Sequence, residues 1–210
     1  MEKNLLEQAL VYHRLNLSII PVIDKQPAIN WKEFQKRKAT EEEIRGWFSD
    51  PDITGIGIVT GKISNLIVID TEKDADVEAL NLPKTITAKS GGDGRHFYFK
   101  HPGFSVKNTT SLKPLVDIRA DGGFIVAPPS RHSSGKNYEW ELSFGSTELA
   151  DAPAWLFEKT KQSKKGEKWK KGVVGVEEGK RNDASTSVIG KLLKHTPKED
   201  WESFAWPLIK

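Results

Sequence analysis

The sequence predicts an α+β fold, with strands through the middle of the chain and helices at its edges. Three observations predict it. Between Gly55 and Ala127, short apolar runs alternate with glycine-containing turns. The segments 3–15 and 40–48 instead repeat apolar residues at helical spacing. The run Leu66-Ile67-Val68-Ile69 is apolar throughout, which marks a central strand covered on both faces. Strands and helices segregated in this way belong to an α+β architecture.

Each element has its own signal. Leu5, Leu6, Ala9, Leu10, Tyr12 and Leu15 form one apolar face of a first helix. Ile19-Ile20-Pro21-Val22 reads as a short strand closed by a turn. Thr40 followed by Glu43 is a capping box, and Ile44, Trp47 and Phe48 face the core of the helix it starts. Ile56 to Thr60 and Leu66 to Asp70 are strands joined by a turn at 61–65. Residues 74–80 suit a helix, and Thr85 to Ala88 a strand. A glycine loop at 91–94 leads into a strand at His96 to Phe99. Val116 to Arg119 and Phe124 to Ala127 are further strands, joined by Asp121-Gly122-Gly123. Tyr138 to Trp140 is another, and a helix starts near Pro153.

The chain divides into a main domain over 1–158, a basic linker over 159–175 and a helical segment over 176–210. Lys159, Lys161, Lys164, Lys165, Lys168, Lys170 and Lys171 crowd the linker around Trp169. After it, Ala184, Val188, Ile189, Leu192 and Leu193 have helical spacing. So short a segment cannot bury its own apolar face. It is expected to pack back on the main domain or to open a further domain of a longer protein.

Composition narrows the class. The 210 residues suffice for one domain with a core and a small appendage, and 37% of them are hydrophobic. No apolar run approaches the roughly 20 residues that span a bilayer, and Met1 to Gln8 does not resemble a signal peptide. There is no cysteine, which excludes disulfides and cysteine-ligated zinc and makes a cytoplasmic setting the expectation. The net charge of +3 says little about partners.

Three segments carry candidate chemistry. Asp70-Thr71-Glu72 ends the apolar strand, so the two acids share a face. Paired carboxylates call for a neutralising cation, and their hard oxygens suit Mg²⁺ or Mn²⁺. Taken alone they are equally a solvated strand end. Asp117 and Arg119 share a face in the same way. Arg119 either orients a third carboxylate, meets a phosphate, or is half of an ordinary ion pair. Lys89 to His96 is a glycine loop whose N–H groups suit phosphate, with Ser90, Gly94, Arg95 and His96 in it. A plain hairpin loop has the same composition. Acids, a histidine and cations on a strand scaffold fit two-metal phosphoryl transfer. There is no nucleophile elbow and no Walker A spacing.

In these motifs the chain closely resembles the bifunctional primase-polymerase (prim-pol) domains of the archaeo-eukaryotic primase superfamily, which occur in plasmid, phage and mobile-element replication proteins. The matching residues run in order. They are Ile20-Pro21-Val22, Lys25-Gln26-Pro27, Trp31-Lys32, Ala39-Thr40 with Ile44 and Trp47, and Gly57-Ile58-Val59-Thr60-Gly61. Then come Asp70-Thr71-Glu72, Gly91 to Phe99, and Asp117 to Ser130. The resemblance covers residues 5–158 and implies an RRM-like sheet core with flanking helices.

It further implies that Asp70, Glu72 and Asp117 hold two divalent ions, Mg²⁺ or Mn²⁺, and that His96 contacts the nucleotide phosphates. Arg95 and Arg119 join the nucleotide site by charge and shared face. Lys25, Ser90, Gly94 and Ser130 join it by their place in the matching segments. Relatives often carry serine where Gly94 stands. The zinc stem of some relatives is excluded here by the lack of cysteine. Residues 176–210 resemble the opening of the helical domain that follows the catalytic domain in such proteins, which points to a truncated end. The implied partners are a single-stranded DNA template, a primer and NTP or dNTP, with a helicase in the same parent protein. The implied activity is template-dependent primer synthesis or extension. A non-catalytic template-binding module and a two-metal nuclease are the rival readings.

Overall fold

The structure is a computed structural model that describes residues 4–157. The expected linker at 159–175 and helical segment at 176–210 lie outside the described residues. Within them the chain is a strand-rich α+β fold with few helices, as the alternation of apolar runs and turns predicts.

Helix α1 (Leu5–Arg14) starts where the Asn4 side chain accepts a hydrogen bond from Leu6 N at 3.0 Å. It buries Ala9, Leu10 and Tyr12. Helix α2 (Glu41–Trp47) carries the predicted capping box. Glu43 N donates to Thr40 Oγ1 at 3.1 Å, and Thr40 N donates to Glu43 Oε2 at 2.7 Å. Arg37 closes on the Glu43 carboxylate with two bonds of 2.7 and 2.8 Å. Together these bonds draw the Glu43 pKa down to about 2, so the cap stays ionised through the neutral range.

The strands make two sheets. In the first, β1 (Ser18–Ile23) lies between β2 (Gln26–Pro27) and β3 (Gly55–Val59), and β9 (Phe124–Ala127) pairs with β3. The second holds β4 (Leu66–Thr71), β5 (Thr87–Lys89), β6 (Arg95–Lys100), β7 (Thr109–Lys113), β8 (Val116–Arg119) and β10 (Glu139–Leu142). Its order is β10-β5-β6-β4-β8-β7, and the two-residue β11 (Ala150–Asp151) runs parallel beside β6.

Strand β4 is buried on both faces, as its unbroken apolar run predicts. Leu66 and Val68 face a core shared with α1, α2 and the first sheet. Ile67 and Ile69 face a second core with Phe97, Phe99, Val116, Ile118 and Leu156. Asp70 continues the face of Leu66 and Val68, so its side chain emerges at the edge of the first core.

Two expectations need correction. The helix over 74–80 is only a 3₁₀ turn at Glu78–Leu80. Asp76 spends its side chain on Ala79 N at 3.1 Å, and Asn81 turns left-handed at φ 46° and ends it. Strand β7 and the short β2 and β11 have no counterpart in the sequence reading. They are polar or two-residue pieces with too little apolar alternation to register.

Removing the Thr40 hydroxyl strips one bond from the start of α2. Thr40→Ala is expected to lower unfolding stability by about 1 kcal/mol in urea titration, with the cores intact.

Candidate functional site

The register of three strands builds the site. Asp70 of β4 lies directly opposite His96 of β6 on one side and Asp117 of β8 on the other. Three motifs far apart in sequence thus form one row, His96–Asp70–Asp117, across the second sheet. Directly paired side chains of neighbouring strands lie only about 5 Å apart, and two carboxylates there repel. Two cationic or donor groups offset this. Arg119 reaches Asp117 Oδ2 at 3.0 Å and Asp70 Oδ2 at 3.3 Å, and bridges them. His96 Nε2 stands 3.4 Å from Asp70 Oδ1. Burial alone would raise the Asp70 pKa, but His96 and Arg119 outweigh it and hold the carboxyl below its ordinary value. The His96 ring is buried, and its Nδ1 has no partner among the described residues.

A cavity of about 460 Å³ opens beside this row. That volume lies in the range of small-molecule sites. Its lining includes Asp70, Glu72, His96 and Arg119 from the second sheet. The glycine loop supplies Ser90, Gly92 and Gly94, the β1–β2 turn supplies Lys25, the start of β2 supplies Gln26, and β9 supplies Phe124, Ile125 and Val126. Asp117 lines a smaller cavity that shares Asp70 and Glu72. Glu72 is exposed, and its backbone N–H still pairs with Leu115 O at 3.0 Å, which extends the β4–β8 ladder to this residue.

The glycine loop is shaped by packing. Its end crosses the carbonyl of Thr71 so closely that any side chain at Gly94 would collide with that oxygen. Gly94 N donates to Ser90 Oγ at 3.1 Å, which closes the loop. Lys89 and Lys136 both grip Asp93, at 3.1 and 2.8 Å, and draw its pKa down to about 2.

Two sequence-predicted residues lie elsewhere. Arg95 is adjacent to His96 on β6 and therefore points to the other face. It pairs with Glu141 at 2.9 Å and does not line the larger cavity. Ser130 is fully buried and joins β3 to the end of β9. Its Oγ accepts from Ile56 N at 2.8 Å and donates to Ala127 O at 2.5 Å. Tyr138 and His132 line the cavity without having been singled out from sequence. Burial, and then the charge of Asp70, push the Tyr138 hydroxyl up to about 12.

For a hard divalent cation the donors are right in kind. Asp70 and Asp117 offer opposed carboxylates, and the guanidinium between them sits where positive charge is needed. Glu72 stands at the rim of the same two cavities. As placed, no group of three His, Asp or Glu side chains among the described residues forms a ready metal cluster. No helix among them is long and apolar enough to cross a membrane.

Carboxylates opposed across two neighbouring strands, beside a cavity rimmed by a glycine loop and cations, make up the candidate site on this α+β scaffold. The chain belongs to the bifunctional DNA primase/polymerase N-terminal (Prim-Pol) family, which matches residues 9–155. That family is one of nucleotidyltransferase-type primases and polymerases of DNA replication. Compared with curated proteins, the chain has no match.

The close passage at Gly94 gives a direct check. Gly94→Ala is expected to cost about 2 kcal/mol, because the colliding atom is backbone and the loop must shift. Thermal or chemical unfolding reads the loss.

Proposed function

We propose that the chain is a template-dependent nucleotidyl transferase that makes primers, extends them, or does both, in the replication of a plasmid, phage or mobile element. The observation that carries this reading is the row His96–Asp70–Asp117 beside a cavity rich in cations and donors. In it, the second sheet is the RRM-like platform that the resemblance implies. A single-stranded template and a primer lie over it, and NTP or dNTP enters the cavity. The resemblance also supports a helicase in the same parent protein.

Asp70, Glu72 and Asp117 would hold the two Mg²⁺ or Mn²⁺ ions. Bound there, such ions would supply Lewis acidity and charge neutralisation for phosphoryl transfer. The protein's own residues do the positioning. Asp70 is fixed between two strands and cannot drift from Asp117. Arg119 spans both carboxylates and lines the cavity, where its fork would meet a phosphate. His96 presents its ring edge to the nucleotide at the cavity wall. Ser90 places a hydroxyl 3.3 Å from where a side chain at position 94 would begin. It therefore offers a hydroxyl close to where many relatives use serine. Lys25, at the tip of the β1–β2 turn, adds a positive charge for the triphosphate.

Primer extension on a labelled primer-template, with Mg²⁺ or Mn²⁺ and both nucleotide types, tests the reading. Asp70→Ala is expected to reduce metal-dependent extension by at least about a hundredfold while the fold persists. Extension at the normal rate by that variant would refute the site, and net shortening of the labelled DNA would favour a nuclease. His96→Ala is expected to raise the nucleotide KM more than it lowers kcat.

A further inference from the structure

One wall of the larger cavity is not explained by the carboxylate row. The chain turns at a cis Pro128–Pro129 peptide after β9, and the buried Ser130 anchors it to β3. The next residues fold back on themselves: His132 N donates to Lys136 O at 2.8 Å, and Gly135 N to His132 O at 2.9 Å. This loop is stitched to the glycine loop. Ser134 Oγ donates to Gly91 O at 2.8 Å, and Lys136 pairs with Asp93. Gly91 has no side chain because the His132 Cβ fills that space. The Tyr138 ring meets His132 edge-on at 5.8 Å. His132 is therefore held firmly, although it lies in a loop.

Its ring orientation follows from the hydrogen bonds. Ser134 N donates to Nδ1 at 3.0 Å. Nδ1 also lies 2.9 Å from Ser134 Oγ, and the neutral tautomer in which Nδ1 accepts from Ser134 N is the one that carries its proton on Nε2. Burial, then the charges of Lys25 and Lys136, hold the His132 pKa below its ordinary value, which favours the neutral ring. Nε2 lies beside Gly92, on the cavity wall, 3.5 Å from where a side chain there would begin. It has no hydrogen-bond partner among the described residues, and Lys25 makes no ion pair among them. The cavity thus contains a fixed N–H donor and a nearby ammonium, both free to meet an anion.

We propose that His132 is a nucleotide-contacting residue whose Nε2–H, together with Lys25, binds phosphate oxygens beyond the one that reacts. This rests on the cavity being a nucleotide site. The reacting phosphate must lie by the acids of the carboxylate row, with their cations. The remaining phosphates carry most of the negative charge and need donors that are not acids. The wall built by His132, Lys25 and the glycine loop provides them. A neutral imidazole donates without having to be protonated, so the contact persists across neutral pH.

The test uses two substitutions that divide the ring's functions. His132→Asn keeps an acceptor where Nδ1 sits and has nothing at Nε2. His132→Gln reaches the Nε2 position with an amide N–H and loses the Ser134 contact. The full chain, with Mg²⁺, is titrated with a fluorescent deoxynucleoside triphosphate, then competed with unlabelled triphosphate and monophosphate. His132→Asn is expected to weaken triphosphate binding by about tenfold and monophosphate binding little, the loss of one hydrogen bond to a charged group. His132→Gln is expected to stay within about threefold of the wild type. Lys25→Ala should also weaken the triphosphate selectively. Wild-type affinity in His132→Asn, or damage in His132→Gln alone, would overturn the proposal and leave the nucleotide site standing. Failure of the wild-type chain to bind any triphosphate would overturn the nucleotide reading and this proposal with it.

Discussion

Everything at the site depends on two carboxylates being forced to face each other. Asp70 and Asp117 are paired across β4 and β8, and no surface accident of side-chain rotation brings them there. The pairing has a cost in repulsion, which Arg119 and His96 offset. What maintains the pairing is the burial of β4 on both faces. A slip of one residue in its register would turn Ile67 and Ile69 out of one core and Leu66 and Val68 out of the other. The apolar run thus fixes the chemistry of the acid that follows it.

The rest of the cavity is made by loops that hold each other. The glycine loop cannot close without the space left at Gly94 above the Thr71 carbonyl. The loop after β9 cannot dock without the space left at Gly91. Ion pairs of Lys89 and Lys136 with Asp93 and the Ser134–Gly91 hydrogen bond join the pieces. Such exposed pairs contribute little stability singly. Their effect is geometric, since they set where the cavity wall stands relative to the carboxylates.

Much of this was legible in the sequence. The i, i+2 spacing of Asp70 with Glu72 and of Asp117 with Arg119 predicts shared faces, and the ion pairs of Arg119 agree for the second pair. The capping box at Thr40 is visible in four residues. Arg95 shows where charge alone misleads. It neighbours His96 on a strand, and alternation already sends it to the opposite face, where Glu141 takes it. Ser130 stands in a matching segment, and in the structure it locks β3 to β9, a packing role that its polarity conceals. His132 gave almost no signal. It sits among small and polar loop residues, and only folding brings its ring to Gly91 and Tyr138. The cross-strand pairing of Asp70 with Asp117 has no local signature, because it depends on residues 47 positions apart.

The double burial of β4 also decides where motion is possible. A strand packed between two cores is the stiffest part of such a fold. Asp70 is an extension of it, so the acidic floor cannot travel without loosening both cores at once. Any closure around a bound molecule must come from the other side, from the paired loops and the β1–β2 turn.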